Sequence, residues 1–147
     1  IYQCDWSSDV CSSDLLILIA GSRIDQKFCN IGVYKISDIN WLSSTASVAW
    51  DIYHRFRGKG YGKKLVIAGS AFCFQMFNLR RIECEILQTN IASQKCAESA
   101  CFVKEGTKRK SIVKCGIPID SLIYGSLAEE FRHVHIDVPE QLKKITE

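Results

Sequence analysis

Arg57-Gly58-Lys59-Gly60-Tyr61-Gly62, followed directly by Lys63-Lys64, is the stretch of this sequence best equipped to hold a ligand. Glycine has no Cβ, so its backbone N–H groups can approach a ligand closely. An apolar run with helical period begins at once afterwards, and a helix start adds unpaired amides and the positive end of a dipole. Arginine and lysines supply full positive charge. Together these features describe a cradle for phosphate groups, and a pyrophosphate-bearing cofactor is the ligand expected of it.

Such a cradle needs a strand to deliver it and a helix to back it. Ser47 to Tyr53 reads as the strand. From Tyr61 to Asn78 the apolar residues Leu65, Val66, Ala68, Gly69, Phe72, Cys73, Met76 and Phe77 recur at helical spacing, so one helix face is buried and Asn78 marks its end. Upstream, Leu15 to Ala20 and Phe28 to Ser37 read as strands joined by a connection at Gly21 to Lys27, with Gly32 marking a bulge and a loop beginning at Asp38-Ile39-Asn40-Trp41. Downstream, Arg81 to Leu87 alternates Ile82, Cys84 and Ile86 against Arg81, Glu83 and Glu85, a strand with one face toward a core. Thr89-Asn90 then caps a helix over Ala92 to Ala100. Phe102 to Lys114, with a turn near Lys104-Glu105-Gly106, and Asp120 to Leu127 read as the last strands. The order β-β-β-α-β-α-β-β implies an α/β fold with a mixed sheet.

The totals narrow the classes. A chain of 147 residues with 47% apolar content suits one domain with a real core, whereas a net charge of +3 suits an anionic small ligand as well as weak nucleic-acid contact and so decides nothing between them. The longest apolar run, Leu15 to Ala20, is too short to span a bilayer, so no membrane partner is expected. None of the eight cysteines forms a C-x-x-C pair, which points to free thiols in a reducing, cytoplasmic setting and to no metal site. His133 and His135 lie two apart in a charged tail, Ala128 to Glu147, without a third ligand; solvated surface residues are the expectation.

The first fifteen residues differ in kind from the rest. They are serine-rich, and Asp5-Trp6-Ser7-Ser8-Asp9-Val10-Cys11-Ser12-Ser13-Asp14-Leu15 closely resembles the translation of a synthetic sequencing adapter. Residues 1–15 are therefore expected to be non-native, and the native start, with a first strand and first helices, to be missing.

Several nucleotide-binding designs use glycine-rich basic loops. A Walker loop needs G-x-x-x-x-G-K-[ST], and from Gly58 the second glycine position is Lys63. A dinucleotide fingerprint fits Gly58-Lys59-Gly60 but also fails at Lys63. Arg55, Arg57, Lys59, Lys63 and Lys64 would suit nucleic-acid phosphates, but no aromatic stacking platform accompanies them, so no nucleic-acid partner is expected.

Arg57-x-x-Gly60-x-Gly62 resembles the R/Q-x-x-G-x-G/A signature of the GNAT superfamily of acetyl-CoA-dependent N-acetyltransferases. Asn90-Ile91-Ala92-Ser93, Glu98, Phe102 and Glu105-Gly106 resemble the N-x-x-S…E-K-x-G-F-x-x-E-G block of its RimJ/RimL-type branch. Cys115-Gly116 and Asp120 to Leu127 resemble that branch's ending. The resemblance covers about residues 16–127 and implies a mixed central sheet with splayed parallel strands flanked by helices. It implies acetyl-CoA wedged between Ser47 to Tyr53 and Arg81 to Leu87. The amides of Arg57, Gly58, Lys59, Gly60, Tyr61 and Gly62 would then hold the pyrophosphate, and the main chain of Trp50, Asp51 and Ile52 the pantetheine. Asn90 would hold the same arm, the Ile52 amide would polarise the thioester carbonyl, and Ser93 would protonate the leaving thiolate.

The implied reaction is direct attack by a primary amine, either a protein N-terminus or a small amine such as an amino sugar nucleotide or polyamine. An ammonium must first lose a proton. Here the chain departs from the pattern. The branch often has glutamate in its fourth strand where this chain has Ser47, and many GNAT enzymes have tyrosine where it has Ala97. Cys101 and Cys115 replace a glycine and an asparagine. Asp51 and His54 are the candidate bases left, and a non-catalytic acyl-CoA-binding module is the alternative. A homodimer paired through an exposed last strand is a further expectation.

Overall fold

The computed structural model describes residues 2–4, 15–24 and 27–131. One sheet of seven strands runs in the order β1-β2-β3-β4-β5-β7-β6. Its strands are β1 (Tyr2–Cys4), β2 (Leu16–Ile24), β3 (Lys27–Asn40), β4 (Thr45–Ile52), β5 (Arg81–Leu87), β6 (Val103–Lys114) and β7 (Ile117–Leu127). Helix α1 (Tyr61–Gln75) joins β4 to β5, α2 (Ile91–Ser99) joins β5 to β6, and a short α3 (Ala128–Phe131) follows β7. All neighbours pair antiparallel except β4 and β5, which are parallel.

Alternation builds the core. In β4 Ala46 and Val48 are buried, and in β5 Ile82, Cys84 and Ile86 are, so the even-numbered side chains of both strands share one face. The helices pack on that face. Leu65, Val66 and Phe74 of α1, Ala97 of α2, and Phe102 join these strand residues in a single cluster. Phe131 of α3 meets Phe74 with ring centroids 5.2 Å apart. The odd-numbered side chains of β4 and β5 face the other way, and among the described residues no helix covers them.

Several expectations are adjusted. The connection assigned to Gly21 to Lys27 shortens, because β2 runs to Ile24 and β3 starts at Lys27. The bulge expected at Gly32 falls one residue earlier: β3 pairs Gly32 with Ala20 and then Asn30 with Gly21, which leaves Ile31 over. Asp38 to Asn40 belongs to β3, but the register against β4 slips there and Asp38 has φ 52°, so an irregular strand stands where a loop was expected. The expected turn near Lys104-Glu105-Gly106 is a register shift inside β6. Helix α1 ends at Gln75, and Asn78, at φ 51°, turns the chain out as its residue type suggested. The adapter-like residues 5–14 and the tail histidines lie outside the described residues.

Both substituted cysteines sit in left-handed backbone. Cys101 has φ 60°, Cys115 has φ 52°, and Gly116 has φ 77°. Positive φ at two successive turn residues is the type I′ requirement, which Asn-Gly meets best. Cys115→Asn is therefore expected to raise stability by about 1 kcal/mol, because a non-glycine, non-asparagine residue at positive φ costs about 1–2 kcal/mol. An upward shift of the thermal midpoint checks it.

Candidate active site

The parallel pairing of β4 and β5 is short. It joins Thr45 to Arg81, Ala46 to Ile82 and Ser47 to Glu83, and stops. Beyond Ser47 the strands continue, to Ile52 and Leu87, without pairing to each other. The sheet therefore opens into a wedge whose vertex lies at Ser47 and Glu83.

The wedge has a polar edge. The Tyr53 amide donates to the Ile31 carbonyl at 2.9 Å, so Tyr53 turns its main-chain groups toward β3. By alternation Asp51 and Ala49 do the same, and Val48, Trp50 and Ile52 turn theirs into the gap. The Asp51 side chain stands on the helix-free face, exposed, where its carboxylate meets the Arg57 guanidinium at 3.0 Å. Trp50 is on the helix face, stacked on Tyr34 at 6.3 Å and tilted against Phe102 at 6.1 Å.

The cradle lies beyond the open end of β4. After a 3-10 turn at His54–Phe56, Gly58 and Gly60 take φ 74° and 79°, and Gly60 is the N-cap of α1. No side chain caps this helix and its first turn holds no acidic residue. The amides of Gly60, Tyr61, Gly62 and Lys63 thus lack intrahelical partners. A Cβ built at Gly58 or Gly60 meets nothing within 4 Å, so the space before the helix is open to a ligand. Arg57 is used differently. Its amide donates to the His54 carbonyl at 3.2 Å, and its side chain folds back, with Nε donating to the Ile52 carbonyl at 2.8 Å. Arg57 braces the junction between strand and cradle, and its amide is already engaged.

Asn90 is the N-cap of α2; its Oδ1 accepts from the Ser93 amide at 3.2 Å. Ser93, half-buried, lies one turn into the helix, and among the described residues its hydroxyl makes no hydrogen bond. Helices α1 and α2 touch at the cradle: a Cβ at Gly62 would lie 2.9 Å from Cys96 Sγ and 3.8 Å from Ile52 Cγ1. Gly62→Ala is expected to cost about 1 kcal/mol, because a side-chain end can shift, and Cys96→Ala in the same chain is expected to restore it. Thermal midpoints of the two variants test the pair. His54 is exposed in the 3-10 turn.

On the helix-free face the polar groups are organised. Arg81 donates to both carboxylate oxygens of Glu105 at 2.7 Å and reaches Glu83 at 3.3 Å. This bridge crosses Gly125, where a Cβ would strike Glu105 and Arg81. Glu85 accepts from Lys108 Nζ at 2.6 Å and from the Ser121 hydroxyl. The sequence reading missed these partners, since they come from β6 and β7 and no spacing along the chain announces them.

Arg81 holds the Glu105 carboxyl below the usual carboxylate range, the hydrogen bond outweighing desolvation. A group whose folded value is depressed stabilises above the ordinary range and loses that contribution as pH falls through the folded value. Glu105 is partly exposed, so screening keeps its share to about 1 kcal/mol or less. Glu105→Gln is expected to lower the midpoint slightly at about pH 7, by an amount that shrinks as pH falls below the ordinary carboxylate range. Burial pushes the thiols of Cys73 and Cys84 up to about 12, which marks both as core residues.

The acetyltransferase (GNAT) domain profile matches residues 4–103 of this chain. The chain belongs to the GNAT acetyltransferase family. Among curated proteins it is similar to the SPbeta prophage-derived uncharacterized N-acetyltransferase YokL of Bacillus subtilis (strain 168). They are 26% identical over 105 residues, which is 71% of this chain and 59% of YokL. The chain thus spans less than two thirds of that GNAT relative. Among solved structures it is similar to a point mutant of the spermidine N-acetyltransferase SpeG of Vibrio cholerae, with TM-score 0.73, 21% identity, and coverage of 81% of this chain and 69% of that one. A dodecameric SpeG structure gives TM-score 0.74 at 20% identity, covering 81% and 68%. These structural likenesses establish the GNAT fold: a mixed sheet flanked by helices, as the sequence implied. Among the described residues no group of three His, Cys, Asp or Glu side chains is placed to hold a metal, and no helix is long and apolar enough to cross a membrane.

Proposed function

We propose that this chain transfers an acetyl group from acetyl-CoA to a primary amine by direct attack on the thioester, in the manner of the RimJ/RimL-type branch. One observation carries the reading: pairing between β4 and β5 stops at Ser47 and Glu83, and the gap beyond is edged by unpaired strand amides that lead to an open, uncapped helix start. Acetyl-CoA fits both parts. Its pyrophosphate takes the amides of Gly58 to Gly62, with Lys59 and Lys63 nearby, and its pantetheine replaces the missing strand partner along Ile52 and Trp50. When bound, it supplies the activated acyl group.

An arm threaded from the cradle meets Ile52 first, then Trp50, then Val48. The thioester is at the far end, so in this reading the Ile52 amide holds the arm and the Trp50 and Val48 amides face the acyl carbonyl, in place of the carbonyl-polarising role expected of Ile52. Arg57 contributes by bracing the Ile52 carbonyl. Asn90 keeps α2 anchored and oriented, and the Ser93 hydroxyl, which makes no hydrogen bond among the described residues, is the donor for the leaving thiolate.

The acceptor is a protein N-terminal amine or a small amine such as an amino sugar nucleotide or polyamine; SpeG's spermidine activity puts polyamines first in any panel. We place the protein in the cytoplasm, without metal, nucleic-acid or membrane partners, and read residues 16–127 as the domain and 1–15 as non-native, although Tyr2–Cys4 pairs with β2; the charged tail expected from Ala128 begins later, because Ala128–Phe131 forms α3 and Phe131 is buried in the core. The last strand, β7, is paired on both sides, by β5 and β6, so it cannot pair across a dimer as expected; a homodimer is compatible instead with the edge strand β6.

Release of CoA thiol over a panel of amines tests the reading, and tight acetyl-CoA binding without turnover on any amine would overturn it. A non-catalytic acyl-CoA-binding module is the second reading, favoured by Ala97, which is fully buried and brings no acid or base to the helix. Ser93→Ala separates the two: an enzyme loses about 10²–10⁴-fold in turnover with affinity nearly unchanged.

A further inference from the structure

We propose that Glu83 is the general base of this site, a catalytic residue that takes over the place left vacant by Ser47; the assignment rests on the transferase reading above. Three observations support it. First, Ser47 and Glu83 are register partners in the last pair before the strands part. Neighbouring strands lie about 4.8 Å apart, and in-register side chains of a parallel pair share a face. A carboxylate on β5 therefore reaches the space that one on β4 at residue 47 would occupy.

Second, that face suits an incoming amine. The odd-numbered side chains of β4 and β5 point away from α1 and α2, and Ala49, Asp51, Glu83 and Glu85 are exposed there. Ser93, on α2, is on the opposite side of the sheet. Base and acid thus flank the opening from its two faces, with the thioester between them.

Third, the other acidic groups nearby are already engaged. Glu85 is bound by Lys108 and Ser121, Asp51 by Arg57, and Glu105 by two bonds from Arg81. Among the described residues Glu83 has one polar contact, 3.3 Å from an Arg81 nitrogen that Glu105 holds more closely, and its side chain is 51% exposed. Its Oε1 accepts no hydrogen bond from the described residues.

The step balances. The Glu83 carboxylate takes one proton from the acceptor ammonium, directly or through one water. The freed nitrogen lone pair forms the C–N bond to the thioester carbon. The C–S bond breaks with its electron pair on sulfur, and the second nitrogen proton passes to the thiolate by way of Ser93. Glu83 then returns its proton to solvent.

The test uses the full chain, with acetyl-CoA affinity measured by calorimetry and CoA thiol release followed across pH. Glu83→Gln is expected to bind acetyl-CoA within about twofold of the unaltered protein and to lose about 10²–10³-fold in kcat. The deficit should shrink at alkaline pH, where the amine arrives neutral. Glu85→Gln should stay within several-fold of the original rate. Ser47→Glu added to Glu83→Gln should recover activity, which a merely structural role for Glu83 would not produce. An active protein whose Glu83→Gln form keeps its rate and pH profile, or whose double variant recovers nothing, would overturn this assignment alone. A parent protein that binds acetyl-CoA but acetylates no amine would overturn the transferase reading and this assignment with it.

Discussion

Gly69→Ala is expected to destabilise the fold by about 1–2 kcal/mol net, although alanine is the better helix former. The propensity gain is about 1 kcal/mol. Against it stands a clash in the middle of the core: a Cβ on Gly69 would lie 2.5 Å from Tyr34 Cγ and Cδ2 and 2.6 Å from Cδ1. These are ring atoms near the stem, so a terminal rotation does not move them away. Tyr34 is fully buried, stacked against Trp50, and its hydroxyl lies 3.4 Å from that of Ser70. The ring therefore cannot retreat, and α1 must lift from β3. Overpacking of this kind costs about 1–3 kcal/mol and occasionally more, which outweighs the propensity term. Thermal unfolding followed by circular dichroism checks it; a midpoint equal to or above that of the unaltered protein would refute the packing argument.

Gly60→Ala is expected to weaken acetyl-CoA binding about a hundredfold. The local environment adds no clash, since nothing lies within 4 Å of a Cβ there, so the effect is conformational. At φ 79° an L-residue is strained, and relief of that strain re-aims the amides of Gly60 and Tyr61. Losing two charge-assisted hydrogen bonds of about 1.5 kcal/mol each removes about 3 kcal/mol, or two factors of ten. Stability should fall by only about 1–2 kcal/mol. Calorimetric titration against thermal melting separates the two effects, and an unchanged affinity would remove the cradle from the cofactor site.

Much of this architecture was legible along the chain. The alternation Ile82, Cys84, Ile86 against Arg81, Glu83, Glu85 located β5 to the residue, because one face of that strand is buried and the other is not. Gly58 and Gly60 pointed to the cradle, because only glycine meets their backbone angles without strain. What escaped notice depends on pairing between strands distant in sequence. β2 reaches Ile24 and β3 starts at Lys27 through cross-strand pairing rather than local preference. The partners of Glu85 come from 23 and 36 residues away, at Lys108 and Ser121. The pairing of Ser47 with Glu83 is of the same kind: it joins two residues that no motif links. Arg57 was legible as a motif residue but not as a brace, since its engagement with the Ile52 carbonyl follows from how the chain folds back after the 3-10 turn.

The three-residue seam between β4 and β5 also has a mechanical meaning. Among the described residues it is the only ladder joining the half-sheet β1 to β4 to the half-sheet β5, β7 and β6, with α1 bridging the two through the core. A molecule that hydrogen-bonds along the open edge acts as a keystone, turning a hinged pair of half-sheets into one slab. The amides of Val48, Trp50 and Ile52 should then exchange with solvent readily in the empty protein and slowly in the filled one, and the melting temperature should climb with donor concentration. Part of the donor's binding energy would in this way become rigidity of the sheet, fixing the two faces of the opening in place before an amine arrives.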